Sequence, residues 1–210
     1  MQSQGQKGVV ELPAPQTAGH LSLEAALQHR RSVRSFAEKT VSLASVAQLL
    51  WAAQGVSHGR GLRTAPSAGA LYPLEVYVVA GNVAELEAGL YHYRSSEHVL
   101  EQIQSGDLRA ALARDALGQQ VISNAPVDFV IAGIPGRTTG KYGHRGERYM
   151  YLEAGHAAQN LCLQAVALEL GSVVIGAFSD QKVGDMLQLG NEGVPLYIIP
   201  VGKEGQGFPY

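Results

Sequence analysis

Three arginines and two serines crowd into seven residues of RRSVRSF, residues 30–36. Guanidinium groups this close repel one another unless an anion lies between them, and arginine's planar fork suits phosphate oxygens. Arg30, Ser32 and Arg34 alternate, so an extended chain points all three to one side, with the Ser32 hydroxyl as a further donor. The plainer reading is a solvated helix end, where arginine complements the negative pole of the dipole. A second stretch, TTGKYGHRGERY, sets Lys141 and Tyr142 between glycines, with His144, Arg145 and Arg148 close behind. Neighbouring cations can lower a lysine's pKa and make it a usable base, although a mobile solvated loop would carry the same residues. A third, APSAGALYP (residues 65–73), is built of small residues. Ser67, Ala68, Gly69 and Ala70 let backbone approach a flat ligand, or simply turn the chain before a strand.

Other chemistries lack their residues. No G-x-x-x-x-G-K-[ST] or G-x-G-x-x-G phosphate loop is present, nor a G-x-S-x-G nucleophile elbow. Cys162 is the only cysteine, which excludes an intrachain disulfide and a thiolate cage; in AQNLCLQAVAL it reads as a buried, inert thiol. Glu153 and His156 stand three apart on one helical pattern, but a single pair is too few ligands, so no metal is expected. A net charge of −2 removes general attraction to nucleic acid or acidic membranes and makes the local arginine cluster more informative.

The elements that must position these groups are legible in part. The first twenty residues read as a flexible polar arm, and residues 21–210 as a single domain. Ser22 caps a short helix that ends at the arginines, and Ser42 caps a second, SLASVAQLLWAAQG, stopped by Gly55. LEVYVVA and the unbroken apolar run VDFVIAGI read as strands, the latter from a sheet interior. GLYHYRSSEHVLEQI reads as a hairpin and DLRAALARDALG as a helix opened by Asp107. The long ERYMYLEAGHAAQNLCLQAVALELG is a helix stopping at Gly171, apolar on most faces and so packed closely against others. SVVIGAF and PLYIIPVGK complete the strands, with SDQKVGDMLQL a capped helix between them. Helices first, then strands interspersed with helices, predict a layered α+β domain. No apolar run has the length and purity of a membrane span, and no signal core opens the chain. Cytoplasmic location is the default, unless a secretion signal has been trimmed.

RRSVRSF, APSAGALYPLEVYVV, YLEAGHAAQNLCLQAVALELGSVVIGAF and the late IIPVGK, in this order, resemble the nitroreductase superfamily of FMN enzymes over most of residues 22–203. Within it the sequence looks most like the azoline (thiazoline/oxazoline) dehydrogenases of the SagB/ThcOx type. The resemblance implies a central mixed, mostly antiparallel sheet flanked by helices, a long buried helix at a dimer interface, and FMN between two subunits. It places the FMN phosphate and one ring edge on Arg30, Arg31, Ser32 and Arg34, with Lys203 also on the phosphate. It gives Pro66, Ser67, Ala68 and Gly69 to the flavin-contacting loop, typically supplied by the partner subunit. Gly176 and Ala177 fall in the segment whose backbone N–H reaches flavin N5. General nitroreductases carry Asn and Gln where this chain has Ala70 and Tyr72, which favours the azoline branch. There, Lys141 and Tyr142 match a pair associated with catalysis. The implied activity is hydride transfer through flavin N5, NAD(P)H-linked, in a homodimer acting on a small molecule. The alternatives are an azoline-type dehydrogenase of a heterocyclic peptide or amino-acid-derived substrate with Lys141 or Tyr142 as base, and a non-catalytic flavin-binding module.

Overall fold

In the computed structural model, which describes residues 8–205, the chain forms a seven-stranded sheet with helices on both faces. The elements in chain order begin with β1 (Val9–Glu11), α1 (Leu23–His29), β2 (Val41–Ser42), α2 (Leu43–Gln54), β3 (Val56–His58) and β4 (Leu62–Arg63). Then come β5 (Leu74–Ala80), β6 (Val83–Ala84), β7 (Gly89–Arg94), β8 (Val99–Ser105), α3 (Arg109–Asp115) and α4 (Gln120–Asn124). The last third holds β9 (Val127–Gly133), α5 (Pro135–Tyr142), α6 (Arg145–Ala167), β10 (Gly171–Ser172), α7 (Asp180–Met186) and β11 (Val194–Gly202). The sheet order is β1-β8-β7-β5-β9-β11-β10, and every ladder within it is antiparallel. A parallel relation enters only where Ser32 bridges Ser172 and in the separate β2–β6 pair.

The unbroken apolar run of β9 has a simple cause. Val127, Phe129 and Ile131 join the core beneath α2 and α6, while Val130 and Ala132 join a second core beneath α3, α4 and α7. A strand covered on both faces cannot alternate apolar with polar. Asp128 is the exception: it is fully buried, and neither carboxyl oxygen has a hydrogen-bond partner among the described residues. Burial pushes its pKa well above the ordinary aspartate range, with Arg109 acting in the opposite direction.

Both serine caps form as expected. Ser22 Oγ accepts from Ala25 N–H at 3.2 Å and Ser42 Oγ from Ser45 N–H at 3.1 Å. Gly55 follows α2 with ordinary negative φ, and glycine is required because a Cβ there would stand 2.3 Å from the Trp51 ring.

Four expectations need correction. The stretch expected as an arm through residue 20 contributes β1, which pairs with β8, and Gln48 then clasps Gln16 through both its backbone groups at 2.8 and 2.9 Å. Residues 1–7 lie outside the described residues. The glycine-flanked loop around Lys141 is a helix, α5, opened by Pro135 and ended by Gly143 at φ 56°. Glycine at 146 lets α6 start directly against it, since a Cβ would lie 2.5 Å from the Thr138 carbonyl carbon.

The long helix ends at Ala167, earlier than Gly171. Glu169 takes the left-handed conformation (φ 56°), and the Leu170 N–H closes the end onto the Ala165 carbonyl at 2.8 Å. Gly171 instead enters β10, where a Cβ would strike Val33 at 2.7 Å. SVVIGAF accordingly supplies only one strand residue, Ser172, and an isolated bridge from Ile175 to Ile198.

The small face of α6 packs inward. Ala154, Ala157 and Ala158 are buried within the chain's own core, while Tyr151 and Leu152 on the outer side are each 55% exposed. No helix among the described residues is long and apolar enough to cross a membrane.

Candidate functional site

The arginine stretch runs along the sheet edge and is joined to it by isolated bridges. α1 ends with Arg30 as its C-cap, and the chain then runs extended: Ser32 bridges Ser172, and Val33 N–H donates to the Ser172 carbonyl at 2.9 Å. Beyond it, Ala37 N–H donates to the Lys203 carbonyl and Gly205 N–H to the Ser35 carbonyl, both at 2.9 Å. Val33 is buried and Arg34 exposed, which is the alternation the spacing predicts. The fold therefore brings Arg30, Ser32, Arg34 and Lys203 to one edge from opposite ends of the sequence.

Arg31 has a different task. Its guanidinium donates to the Gln28 and Arg30 carbonyls at 2.8 Å each, closing the C-terminus of α1. Among the described residues no carboxylate lies within 4 Å of Arg30 or Arg34. Lys203 Nζ is 3.3 Å from Glu169 Oε2, an exposed pair that holds it weakly. Two unpaired guanidiniums, an ammonium and a hydroxyl form a donor set that fits a phosphate dianion. Cys162 lies beneath this edge, beside Ser172 and within the field of Arg30. Burial nonetheless pushes its thiol up, as an inert buried cysteine requires.

Past β10, Gly176 and Ala177 are exposed, and among the described residues neither backbone N–H has a hydrogen-bond acceptor. The Ala177 carbonyl accepts from Gln119 Nε2 at 2.8 Å, which ties this turn to the residue ahead of α4.

The second group of candidates assembles around the small-residue loop. Ala68–Ala70 form one 3₁₀ turn, with Gly69, Ala70 and Tyr72 at φ 64°, 54° and 46°. Left-handed backbone is natural for glycine and costs the other two. The surroundings hold it: Ser67 Oγ accepts from Tyr72 N–H at 2.9 Å, Tyr72 Oη accepts from Arg63 N–H at 3.1 Å, and Arg137 Nη1 donates to the Tyr72 carbonyl at 3.0 Å. Against this loop come both residues of the Lys-Tyr pair. A Cβ on Gly69 would stand 2.6 Å from Tyr142 Oη and 2.9 Å from Lys141 Nζ. Tyr142 is steadied edge-on by the Tyr149 ring, with centroids 5.1 Å apart, and the Lys141 ammonium lies 5.4 Å from the Tyr142 ring centre. Pro66, Ser67, Ala68, Gly69, Lys141 and Tyr142 thus share one place.

The two groups meet α6 at different heights. Ser67 lies by Glu153 and Arg30 by Cys162, about 14 Å further along the helix axis.

Glu153, which the sequence showed only as half of an insufficient pair with His156, stands at the edge of this place. It is 2% exposed, whereas His156 is exposed, so the two do not form a ligand pair. Among the described residues no group of three or more His, Cys, Asp or Glu could hold a metal. Burial pushes the Glu153 carboxyl to about 7, against smaller opposing pulls from Ser67 and Arg63. The Ser67 hydroxyl is near enough to act on the carboxyl but does not make a well-formed hydrogen bond, and both carboxyl oxygens lack a partner. Glu75, Arg63 and Arg137 were missed altogether. The available signals were a glutamate inside the strand pattern LEVYVVA and an arginine one helical turn before Lys141.

Comparison with known proteins accords with this arrangement. Residues 27–203 match the Nitroreductase family. The chain is 41% identical over 184 residues to MJ1384 of Methanocaldococcus jannaschii, named as a nitroreductase, covering 88% of this chain and 92% of that one. It is 27% identical to the trifolitoxin operon protein TfxC of Rhizobium leguminosarum (84% of this chain, 54% of TfxC). It is 29% identical to the microcin B17-processing protein McbC of Escherichia coli (65% of this chain, 52% of McbC). The chain thus spans about half the length of TfxC and McbC. A crystal structure of a nitroreductase-type protein from Ralstonia eutropha superposes with TM-score 0.84 at 30% identity, over 98% of this chain and 93% of that chain. A chain of the E. coli microcin synthetase McbBCD complex superposes with TM-score 0.72 at 25% identity, over 96% and 80%. The chain belongs to the nitroreductase family of oxidoreductases, with TfxC and McbC among its homologues.

Proposed function

We propose that this chain is an FMN-dependent oxidoreductase that works as a dehydrogenase in a homodimer. Arg30, Ser32, Arg34 and Lys203 would hold the phosphate, and the exposed backbone N–H groups of Gly176 and Ala177 would meet the ring edge. The Pro66–Gly69 loop of a second copy would close the site, bringing its Lys141 and Tyr142 with it. The exposed Tyr151 and Leu152 on α6, with Leu23 and Leu27 on α1, offer apolar surface for that second copy. Bound FMN supplies a hydride acceptor at N5.

The observation that carries this reading is the convergence of Lys141 Nζ and Tyr142 Oη on Gly69. Oxidising a C–C or C–N single bond removes a hydride and a proton, and the chain's own share is the proton. Lys141 as the free amine, or Tyr142 as the phenolate, takes it beside a loop whose missing side chain leaves room for the pair itself. Arg137 and Ser67 keep that loop in its left-handed path, so the two acceptors stay fixed while the proton moves.

The test begins with the absorbance spectrum of the protein mixed with FMN. Charge reversal at Arg30 or Arg34 removes a charge-assisted contact and weakens FMN binding roughly tenfold to a hundredfold, read by flavin fluorescence quenching. Lys141→Ala and Tyr142→Phe retain FMN and lose oxidation of a thiazoline-containing peptide. Anaerobic titration with NADH and NADPH reads whether reduced nicotinamide delivers hydride in the reverse sense. Protein that takes up no FMN refutes the proposal. Turnover unchanged in both variants refutes the role of the pair, and bound FMN with no turnover on any donor leaves a binding module.

A further inference from the structure

Beside the loop, walled in part by Leu71 and Tyr72, lies a polar cavity of about 510 Å³. Its walls include Arg63, Tyr72, Glu75, His92, Arg94 and Arg137. Most of its charges are already matched. Glu75 accepts from Arg137 through one oxygen and contacts His92 Nε2 at 2.7 Å through the other. Burial pushes the Glu75 carboxyl up, but the His92 and Arg137 contacts outweigh it and hold it below the ordinary glutamate range, so it is ionised. Arg94 lies 3.3 Å from Glu101 and 3.7 Å from Glu97.

Arg63 is the exception. Its guanidinium stacks 4.6 Å from the Tyr72 ring centre and donates to Gln54 Oε1 at 2.8 Å, both neutral groups. Among the described residues no carboxylate comes within 4 Å of it; Glu75 and Glu153 act on it only from further away. Holding it this way also has a cost, since Gln54 is buried and its Nε2 is left without a partner. A half-buried cation whose fixed partners are an amide and a ring retains a free fork for a planar anion.

We propose that this cavity receives a carboxylate of the substrate, with Arg63 as the group that recognises it. The inference rests on the functional reading above and narrows its substrate to carboxylate-bearing molecules. Tyr72 lines the cavity, and three residues earlier Gly69 carries Lys141 and Tyr142, a span of no more than about 11 Å. One molecule can therefore place its carboxylate at Arg63 and its oxidisable bond at the Lys-Tyr pair. Glu75 in the same wall disfavours a dianion, which selects a singly charged carboxylate over phosphate.

The test is calorimetric titration of the protein, with and without FMN, using N-acetylglycine and an N-acetyl tripeptide. Each is compared with its primary amide, and inorganic phosphate serves as a third probe. The expected result is an acid bound about tenfold or more tightly than its amide, with phosphate weaker than either acid. Whichever acid binds more tightly tells a small free acid from a peptide C-terminus. Arg63→Gln abolishes the difference between acid and amide. Ser96→Glu, at the exposed rim of the cavity, abolishes it too without touching the core. Equal binding of acid and amide overturns the site, as does an acid preference that survives in both variants or tighter binding of phosphate. Because the titration needs no turnover, acid binding in a protein with no affinity for FMN would overturn the functional reading and leave the site standing.

Discussion

Glu153→Gln separates the electrostatic consequence of burial from its packing. The carboxyl sits in the core side of α6 with neither oxygen partnered, and burial moves its pKa from 4.5 to about 7. The folded protein therefore holds a proton that the unfolded chain has lost between these two values. Below 4.5 both states are protonated and nothing is at stake. As pH rises through that window, folding must keep the proton against solution, and stability falls. Above about 7 both are ionised and the loss is complete. At about 1.4 kcal/mol per pH unit, the total is about 3 kcal/mol. Glutamine keeps the shape and does not titrate, so the variant matches the parent at the acid end and exceeds it by about 3 kcal/mol at neutral pH and above. For a chain of this size, that corresponds to roughly 6–12 °C in Tm. Urea denaturation at a series of pH values, for both proteins, reads it directly. Two stability curves that run parallel across the window would refute the reasoning, because a carboxyl that titrates alike in both states carries no linkage. FMN binding and turnover in the same variant show whether the charge under Ser67 also matters to the loop.

Asp128 follows the same sign. Its raised pKa makes the parent less stable as pH climbs above the ordinary aspartate value, so Asp128→Asn is more stable than the parent at neutral pH and equal to it in acid, measured by urea midpoint. Gly69→Ala forces a side chain into φ 64° and within 3 Å of Lys141 Nζ and Tyr142 Oη. It costs about 1–2 kcal/mol of stability from the backbone alone and displaces the pair. Turnover is lost while FMN is retained, and an active Gly69→Ala variant would remove the loop from the mechanism.

The sequence by itself determined the periodic and the capped. Two serine caps, the strands of LEVYVVA, VDFVIAGI and PLYIIPVGK, and the hairpin fall where the residue pattern places them, because local hydrogen bonds and burial periodicity act within a few residues. The arginine alternation was legible for the same reason: an extended chain has one geometry. Where the sequence misled, a distant contact had overruled a local signal. Gly140 and Gly143 suggested a loop around Lys141 and Tyr142, but Gly140 lies inside α5 and Gly143 ends it, so Lys141 stands in a helix. Gly171 suggested a helix stop, but it makes room for Val33, and Glu169 takes the left-handed turn in its place.

Only the tertiary structure could decide which groups meet. Lys203 reaches the arginine edge because β11 ends beside residues 35–37, and Lys141 reaches Gly69 because α5 folds back over the loop. Arg31 looked equal to its neighbours until its guanidinium was found closing α1. Arg63 had no motif at all; its meaning lies in the carboxylates that stay beyond its reach. Residue type states what a side chain can do, and sequence spacing states what its helix or strand does with it. Whether a charge is paired, buried or free depends on segments far apart in the chain, and that is fixed only when they pack.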